Sequence, residues 1–170
     1  AAEKRVQHGQ SERMQQLREA PRPDAFTFSY PGGASLTEKL DAIVEAIVSA
    51  FSAQAAALAK LAVEETGFGN VPDKTTKNRF ASETVAKAVR GMKTVGLLRK
   101  RAEEGIWEIG VPVGVIAAIV PSTNPTSTVC YKALIALKAG CAIVFSPHPK
   151  AARCTRAAVE VLARAAEQAG

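Results

Sequence analysis

Asn124 is the residue best placed to do chemistry, in the stretch "PSTNPT" from Pro121 to Thr126, which follows an apolar run ending at Val120. Proline favours the first helical position and pushes the residue before it out of helical space, and asparagine is among the best N-caps. Capping uses only the amide carbonyl. The NH2 of the same side chain stays free to donate to an oxyanion developing in a cleft, which is the stabilisation acyl-transfer chemistry needs. On spacing, a cap alone and a cap that also serves a substrate both stand.

The other reactive types are few. Cys130 falls inside the helix after this turn, Cys141 opens a strand and Cys154 lies on the inner stripe of the last helix. Each reads as a small core residue rather than a nucleophile. An odd set of cysteines without CxxC spacing, with His8 and His148 far apart, points to neither a disulfide framework nor a zinc site. His148, in "SPHPK", is placed to touch a nucleotide, but the sequence offers no partner for proton shuttling. Lys150 either meets a phosphate or begins the last helix. Gly67 and Gly69 follow a helix and lack the third glycine of a dinucleotide fingerprint.

The elements that must hold Asn124 are readable around it. "VGVIAAIV", Val113 to Val120, has the length and unbroken apolarity of a strand covered on both faces of a parallel sheet. Pro125 to Lys138 is helical, Gly140 caps it, and "CAIVFS" is a second buried strand. Ala151 to Ala169 then forms an amphipathic helix with Cys154, Ala158, Val161, Leu162 and Ala165 inside and Arg153, Arg156, Glu160 and Arg164 in water. Strand, helix, strand, helix with short joints is a right-handed βαβα unit. In such open sheets ligands bind beyond the carboxyl ends of the strands, so "PSTNPT" and "SPHPK" should share one rim.

Upstream, "SLTE" has capping-box spacing at Ser35 and Glu38, and Leu36, Leu40, Ile43, Val44, Ile47, Val48 and Phe51 recur at helical intervals. The pattern continues through Leu58, Leu61 and Ala62, as one long helix or as two broken near Ser52, until Gly67 stops it. A further helix, roughly Asp73 to Arg90, places Phe80, Thr84, Ala88 and Met92 on one side and its lysines and arginines on the other. Thr94 to Gly110 reads as an edge hairpin turning near Glu103 to Gly105. Residues 1–34, with Pro21, Pro23, Pro31, Gly32 and Gly33, look like an extension or linker.

The 170 residues, 47% hydrophobic and 22% charged, suffice for a folded core. No apolar run is long enough to cross a bilayer, and the polar, basic start lacks the apolar centre of a secretory signal. A cytoplasmic protein with no membrane partner is expected. The net charge of +6 and the cluster Arg99, Lys100, Arg101 do not make a nucleic-acid site, because Glu103 and Glu104 follow at once and only 5% of residues are aromatic.

The stretch "EIGVPVGVIAAIVPSTNPTSTVCYKALIALKAGCAIVFSPHPKA" resembles the cofactor-binding strand, turn and helix of the aldehyde dehydrogenase superfamily, and most of all its CoA-acylating branch. "LAKLAVEETGFGNVPDKTTKNRFASE" resembles the first helices of the same branch, so the likeness covers roughly Ala53 to Gly170. It implies an α/β fold in which N-terminal helices and an edge hairpin, residues 35–110, precede residues 111–170, the first βαβα half of a Rossmann-like NAD-binding sheet. The implied reaction is oxidation of a small aldehyde by NAD, through a cysteine thioester that CoA takes up, or the reverse. Asn124 matches the asparagine that stabilises the oxyanion. Val120, Pro121, Ser122 and Thr123 match the backbone along the nicotinamide and its ribose, and Ser146, Pro147, His148, Pro149 and Lys150 match the strand end on the adenosine side.

Where hydrolytic relatives place a lysine and a glutamate on the adenosine ribose, this chain has Ser146 and Pro149, which leaves NAD against NADP open. The family's nucleophilic cysteine lies beyond Gly170, so these residues alone are expected to be inactive. The alternative is a nucleotide-binding or scaffold module without chemistry. The hairpin resembles the family's subunit-bridging strands, which implies a homo-oligomer, a dimer or higher. The first 35 residues have no counterpart in this resemblance; the family suggests a targeting or encapsulation helix for a bacterial microcompartment in residues 1–34, with a disordered leader as the other reading.

Overall fold

The computed structural model describes residues 35–170, so the readings of residues 1–34 lie outside the described residues. The capping box forms as its spacing predicts: Ser35 Oγ accepts from the Glu38 amide at 3.2 Å, and Glu38 Oε2 accepts from the Ser35 amide at 2.7 Å. Helix α1, Leu36–Ala53, buries Val44, Ile47 and Phe51. Helix α2, Ala55–Thr66, leaves it at 64°, which settles the choice in favour of two helices, broken at Gln54. Gly67 ends α2 with a left-handed φ of 70°, a conformation that carries little strain only without a Cβ. No single helix among the described residues is long and apolar enough to cross a membrane.

Helix α3, Val71–Arg79, runs through a π-helical turn, Phe80–Thr84, into the short α4, Val85–Val89. Here the expected apolar side is the wrong side. Phe80 and Met92 are 60% and 52% exposed, and Thr84 and Ala88 face solvent too. The buried stripe is Lys74, Asn78, Ala81, Ser82 and Ala86. The π turn fits extra residues into one turn and shifts the phase of everything after it. The polar members of the stripe are matched inside, Asn78 Nδ2 donating to Ala55 O at 2.9 Å and Ser82 Oγ lying 2.9 Å from Ser52 Oγ.

Strands β1, Gly96–Arg101, and β2, Ile106–Gly110, form the expected antiparallel hairpin, a two-stranded sheet separate from the rest. Strand β3, Val115–Val120, helix α5, Pro125–Lys138, and strand β4, Ala142–Pro147, form the parallel crossover. Gly140 turns the chain between α5 and β4 at φ 70°, so close to Pro112 that a Cβ there would lie 2.9 Å from its ring. The two strands pair from Val115 with Ala142 to Val120 with Pro147. A 3-10 turn, Pro149–Ala151, leads into α6, Ala152–Ala169, whose buried stripe is Cys154, Thr155, Ala158, Leu162 and Ala165, with Val161 half-buried.

The expectation that the strands are covered on both faces fails. Burial alternates along β3: Ala118 and Val120 are in the core, while Val115 and Ile119 are 70% and 76% exposed, with Val144 of β4 beside them at 62%. The cause is the placement of the helices. Helices α1, α5 and α6 pack against one another on the covered face, and no described element lies over the other.

One carboxylate ties α2 to α6. Glu65 Oε1 accepts from the Arg153 amide at 2.8 Å and Oε2 from the Cys154 amide at 2.7 Å, filling the positive N-terminal end of α6. Burial pushes the Glu65 carboxyl up, but the thiol and amide of Cys154 and the amide and charge of Arg153 outweigh it, so it ionises below its ordinary value of 4.5. The Glu65→Ala variant should lose about 1 kcal/mol of unfolding free energy at neutral pH, as other cap removals do. A depressed carboxylate stabilises above its unfolded pKa. The wild-type advantage over the variant in denaturant titrations should therefore persist above pH 4.5 and vanish as pH falls through the lowered folded value.

Candidate active site

Parallel pairing in register brings the two chain segments that leave β3 and β4 onto one rim. The link is direct, since the His148 amide donates to Val120 O at 2.9 Å, just past the last strand pair. Pro121 and Thr123 are exposed there and Ser122 and Asn124 half-buried, while Ser146, Pro147, His148, Pro149 and Lys150 are all exposed. Val120 is the exception among the expected rim residues: its side chain is fully buried and its carbonyl is taken by His148. His148 Nδ1 accepts from the Lys150 amide at 3.1 Å, so the imidazole starts the 3-10 turn and Lys150 lies within it.

Asn124 starts α5 with its backbone, its carbonyl accepting from the Thr128 amide at 3.1 Å. Its side chain makes no cap bond. This corrects the capping expectation: Oδ1 accepts instead from Lys77 Nζ at 3.3 Å, a charge-assisted bond that competes with the neutral amides of the first helical turn. The NH2 has no hydrogen-bond partner among the described residues and can donate to a ligand on the rim.

The partner is one of three residues on α3 that grip the turn. Lys74, only 5% exposed, donates from Nζ to Thr123 O at 2.6 Å. Asn78 Oδ1 accepts from Thr126 Oγ1 at 2.8 Å while its Nδ2 holds Ala55 O, so one buried amide ties the turn to α2. Burial lowers the Lys74 ammonium below its ordinary value, and the charge of Lys77 pushes the same way. Sequence reasoning passed over Lys74, Lys77 and Asn78 because hydropathy placed them on the wet side. The available signal was their spacing of three and four, which puts all three on one helix face.

The cysteines behave as core residues. Cys130 and Cys154 are fully buried and Cys141 is 4% exposed. Burial pushes the Cys130 thiol up to about 12, and burial with the Glu65 carboxylate does the same to Cys154, so neither is a thiolate at neutral pH. Among the described residues no cluster of His, Cys, Asp and Glu is arranged to hold a metal ion. A cavity of about 340 Å³ lies elsewhere, lined by Asp41, Val44, Glu45, Ala86, Val89, Arg90 and Lys138. The rim is an open shelf, with exposed Ser146 at the end of β4 and no carboxylate among Ser146 to Lys150. Replacing Asn78 by Ala strands two buried polar partners, Ala55 O and Thr126 Oγ1, and should lower unfolding free energy by about 2–4 kcal/mol, measured by denaturant titration.

Comparison with known proteins agrees with this architecture. The family model of the aldehyde dehydrogenase family matches residues 7–170. The bifunctional aldehyde-alcohol dehydrogenase AdhE of Escherichia coli (strain K12) is 46% identical over 138 residues, 81% of this chain and 16% of that protein. An acetylating aldehyde dehydrogenase from Geobacillus thermoglucosidasius superposes with a TM-score of 0.78 at 49% identity, covering 94% of this chain and 34% of that one. The propionaldehyde dehydrogenase of Rhodopseudomonas palustris, solved with bound propionyl-CoA, superposes with a TM-score of 0.63 at 28% identity, covering 79% and 29%. The chain thus spans about a third of these solved structures and less of the bifunctional enzyme. With a family match that runs through nearly all of the sequence, the chain belongs to the aldehyde dehydrogenase family, and acylating enzymes are among the proteins it resembles.

Proposed function

We propose that these residues form part of an NAD-linked, CoA-acylating aldehyde dehydrogenase. They would supply the strand-end rim for the cofactor and one donor of the oxyanion hole. The observation that carries this reading is the Asn124 amide, held at the end of β3 with its carbonyl on Lys77 and its NH2 unpaired among the described residues. When bound, NAD supplies the acceptor for the hydride that leaves the aldehyde carbon. The Asn124 NH2 donates to the aldehyde oxygen as a thiolate adds and the charge builds there. That thiolate would come from a segment outside these 170 residues, because Cys130, Cys141 and Cys154 are all buried in the fold. Pro121, Ser122 and Thr123 pass along the nicotinamide side, and Ser146, Pro147, His148, Pro149 and Lys150 receive the adenosine side. With no carboxylate on that strand end to select the 2′-hydroxyl, NADP is a second candidate. CoA is the co-substrate, as the propionyl-CoA complex of the relative suggests.

The stand-alone module is the weaker alternative, since it would leave Val115, Ile119 and Val144 on a bare sheet face. A homo-oligomer in the cytoplasm completes the proposal, with the hairpin bridging subunits through exposed Leu98 and Ile109. A place inside a microcompartment shell for residues 1–34 rests on the resemblance alone.

In a polypeptide carrying this chain together with its cysteine-bearing domain, NADH should appear from acetaldehyde and NAD only when CoA is added. The Asn124→Ala variant should lower kcat by roughly 10²–10³-fold, as removal of one oxyanion donor does elsewhere. Turnover to the free acid without CoA, or wild-type kcat in the variant, would overturn the proposal.

A further inference from the structure

Among the described residues Lys77 stands at the rim without a carboxylate partner, and it donates to Asn124 Oδ1 at 3.3 Å. We propose that Lys77 is a positioning residue for catalysis, which fixes the orientation of the Asn124 amide so that its NH2 remains available to the substrate. The inference rests on the reading of Asn124 given above.

The two ends of an asparagine amide have nearly the same shape, so sterics alone scarcely chooses between its flips. An ammonium only donates. The atom that meets Lys77 Nζ must therefore be the carbonyl oxygen, and the reversed amide would set two donors against a cation.

A second competitor also has to be defeated. Asn124 occupies the N-cap position of a 14-residue helix whose first residue, Pro125, has no amide hydrogen, so the amides of Thr126 and Ser127 are the natural targets for its oxygen. Turning onto those amides would swing the whole side chain over the helix end. That bond is absent, and Lys77 holds the oxygen instead.

The neighbouring contacts remove the other freedoms of the turn. Lys74 pins Thr123 O at 2.6 Å and Asn78 pins Thr126 Oγ1 at 2.8 Å, one residue before Asn124 and two after it. Among the described residues the Asn124 side chain is held by its hydrogen bond from Lys77. Its spacing makes this possible, since residues 74, 77 and 78 share one face of α3.

The test uses the full-length enzyme and the variants Lys77→Met, Lys77→Arg and Asn124→Ala. Lys77→Met should lower kcat roughly tenfold, the population shift that a typical N-cap bond produces once its competitor is gone, with KM for NAD and CoA unchanged. Lys77→Arg, still a pure donor, should recover most of that loss. In the Asn124→Ala background Lys77→Met should have no further effect, as expected for two residues acting as one unit. A crystal structure of Lys77→Met should show Asn124 Oδ1 accepting from Thr126 or Ser127.

A kcat within twofold of wild type, additive losses in the double variant, or a raised cofactor KM at constant kcat would overturn the positioning role. So would an unmoved Asn124 in the variant crystal. That readout does not depend on turnover, so it separates a failure of positioning from a failure of the catalytic reading, which Asn124→Ala tests by itself.

Discussion

The Lys74 contact to Thr123 O is the constraint on which the rest depends. A nearly buried ammonium is expensive to desolvate, and it is tolerated here because its long stem packs inside while the head meets a carbonyl that has no other partner among the described residues. The carbonyl belongs to the turn that leaves a buried strand, where the backbone has already left the sheet ladder and helix α5 has not yet begun. Lys77 and Asn78 join Lys74 in tying residues 123, 124 and 126 to α3, and the asparagine in the capping position accepts from Lys77 rather than from the helix amides.

Legibility followed the physics of each element. The βαβα unit was readable because its signals are local: continuous apolar runs, a proline at the first helical position and a glycine after the last turn. Helix α5 begins at Pro125 and ends at Lys138 as its sequence says. The capping box at Ser35 and the stop at Gly67 were equally plain, being single-residue chemistry. The face of α3 was not readable. Its buried side is made of Lys74, Asn78 and Ser82, which pair with Thr123, Thr126, Ala55 and Ser52, residues distant in sequence. A hydropathy pattern cannot register burial that is paid for by hydrogen bonds, and the π turn at Phe80–Thr84 moved the phase of what followed.

The rim itself was half legible. That the two strand ends would lie together follows from parallel pairing, and the His148 amide on Val120 O shows how closely they are joined. The side-chain partner of Asn124 was not legible, because capping is the stronger local tendency and Lys77, 47 residues earlier, overrides it. The strands' apolarity pointed to cover on both faces, yet helices pack on one face only. Val115, Ile119 and Val144 remain exposed, a surface of the kind that more polypeptide usually buries.

A crystal structure of the full-length enzyme with NAD and an unreactive aldehyde analogue bound tests the central claim most directly. The account predicts that the nicotinamide end lies along Pro121 to Thr123. It further predicts that Asn124 Nδ2 stands about 3 Å from the analogue's oxygen, a distance typical of an oxyanion donor, while Oδ1 stays on Lys77. A dinucleotide bound away from this rim, or an Asn124 amide turned back to cap α5 with the ligand present, would contradict it.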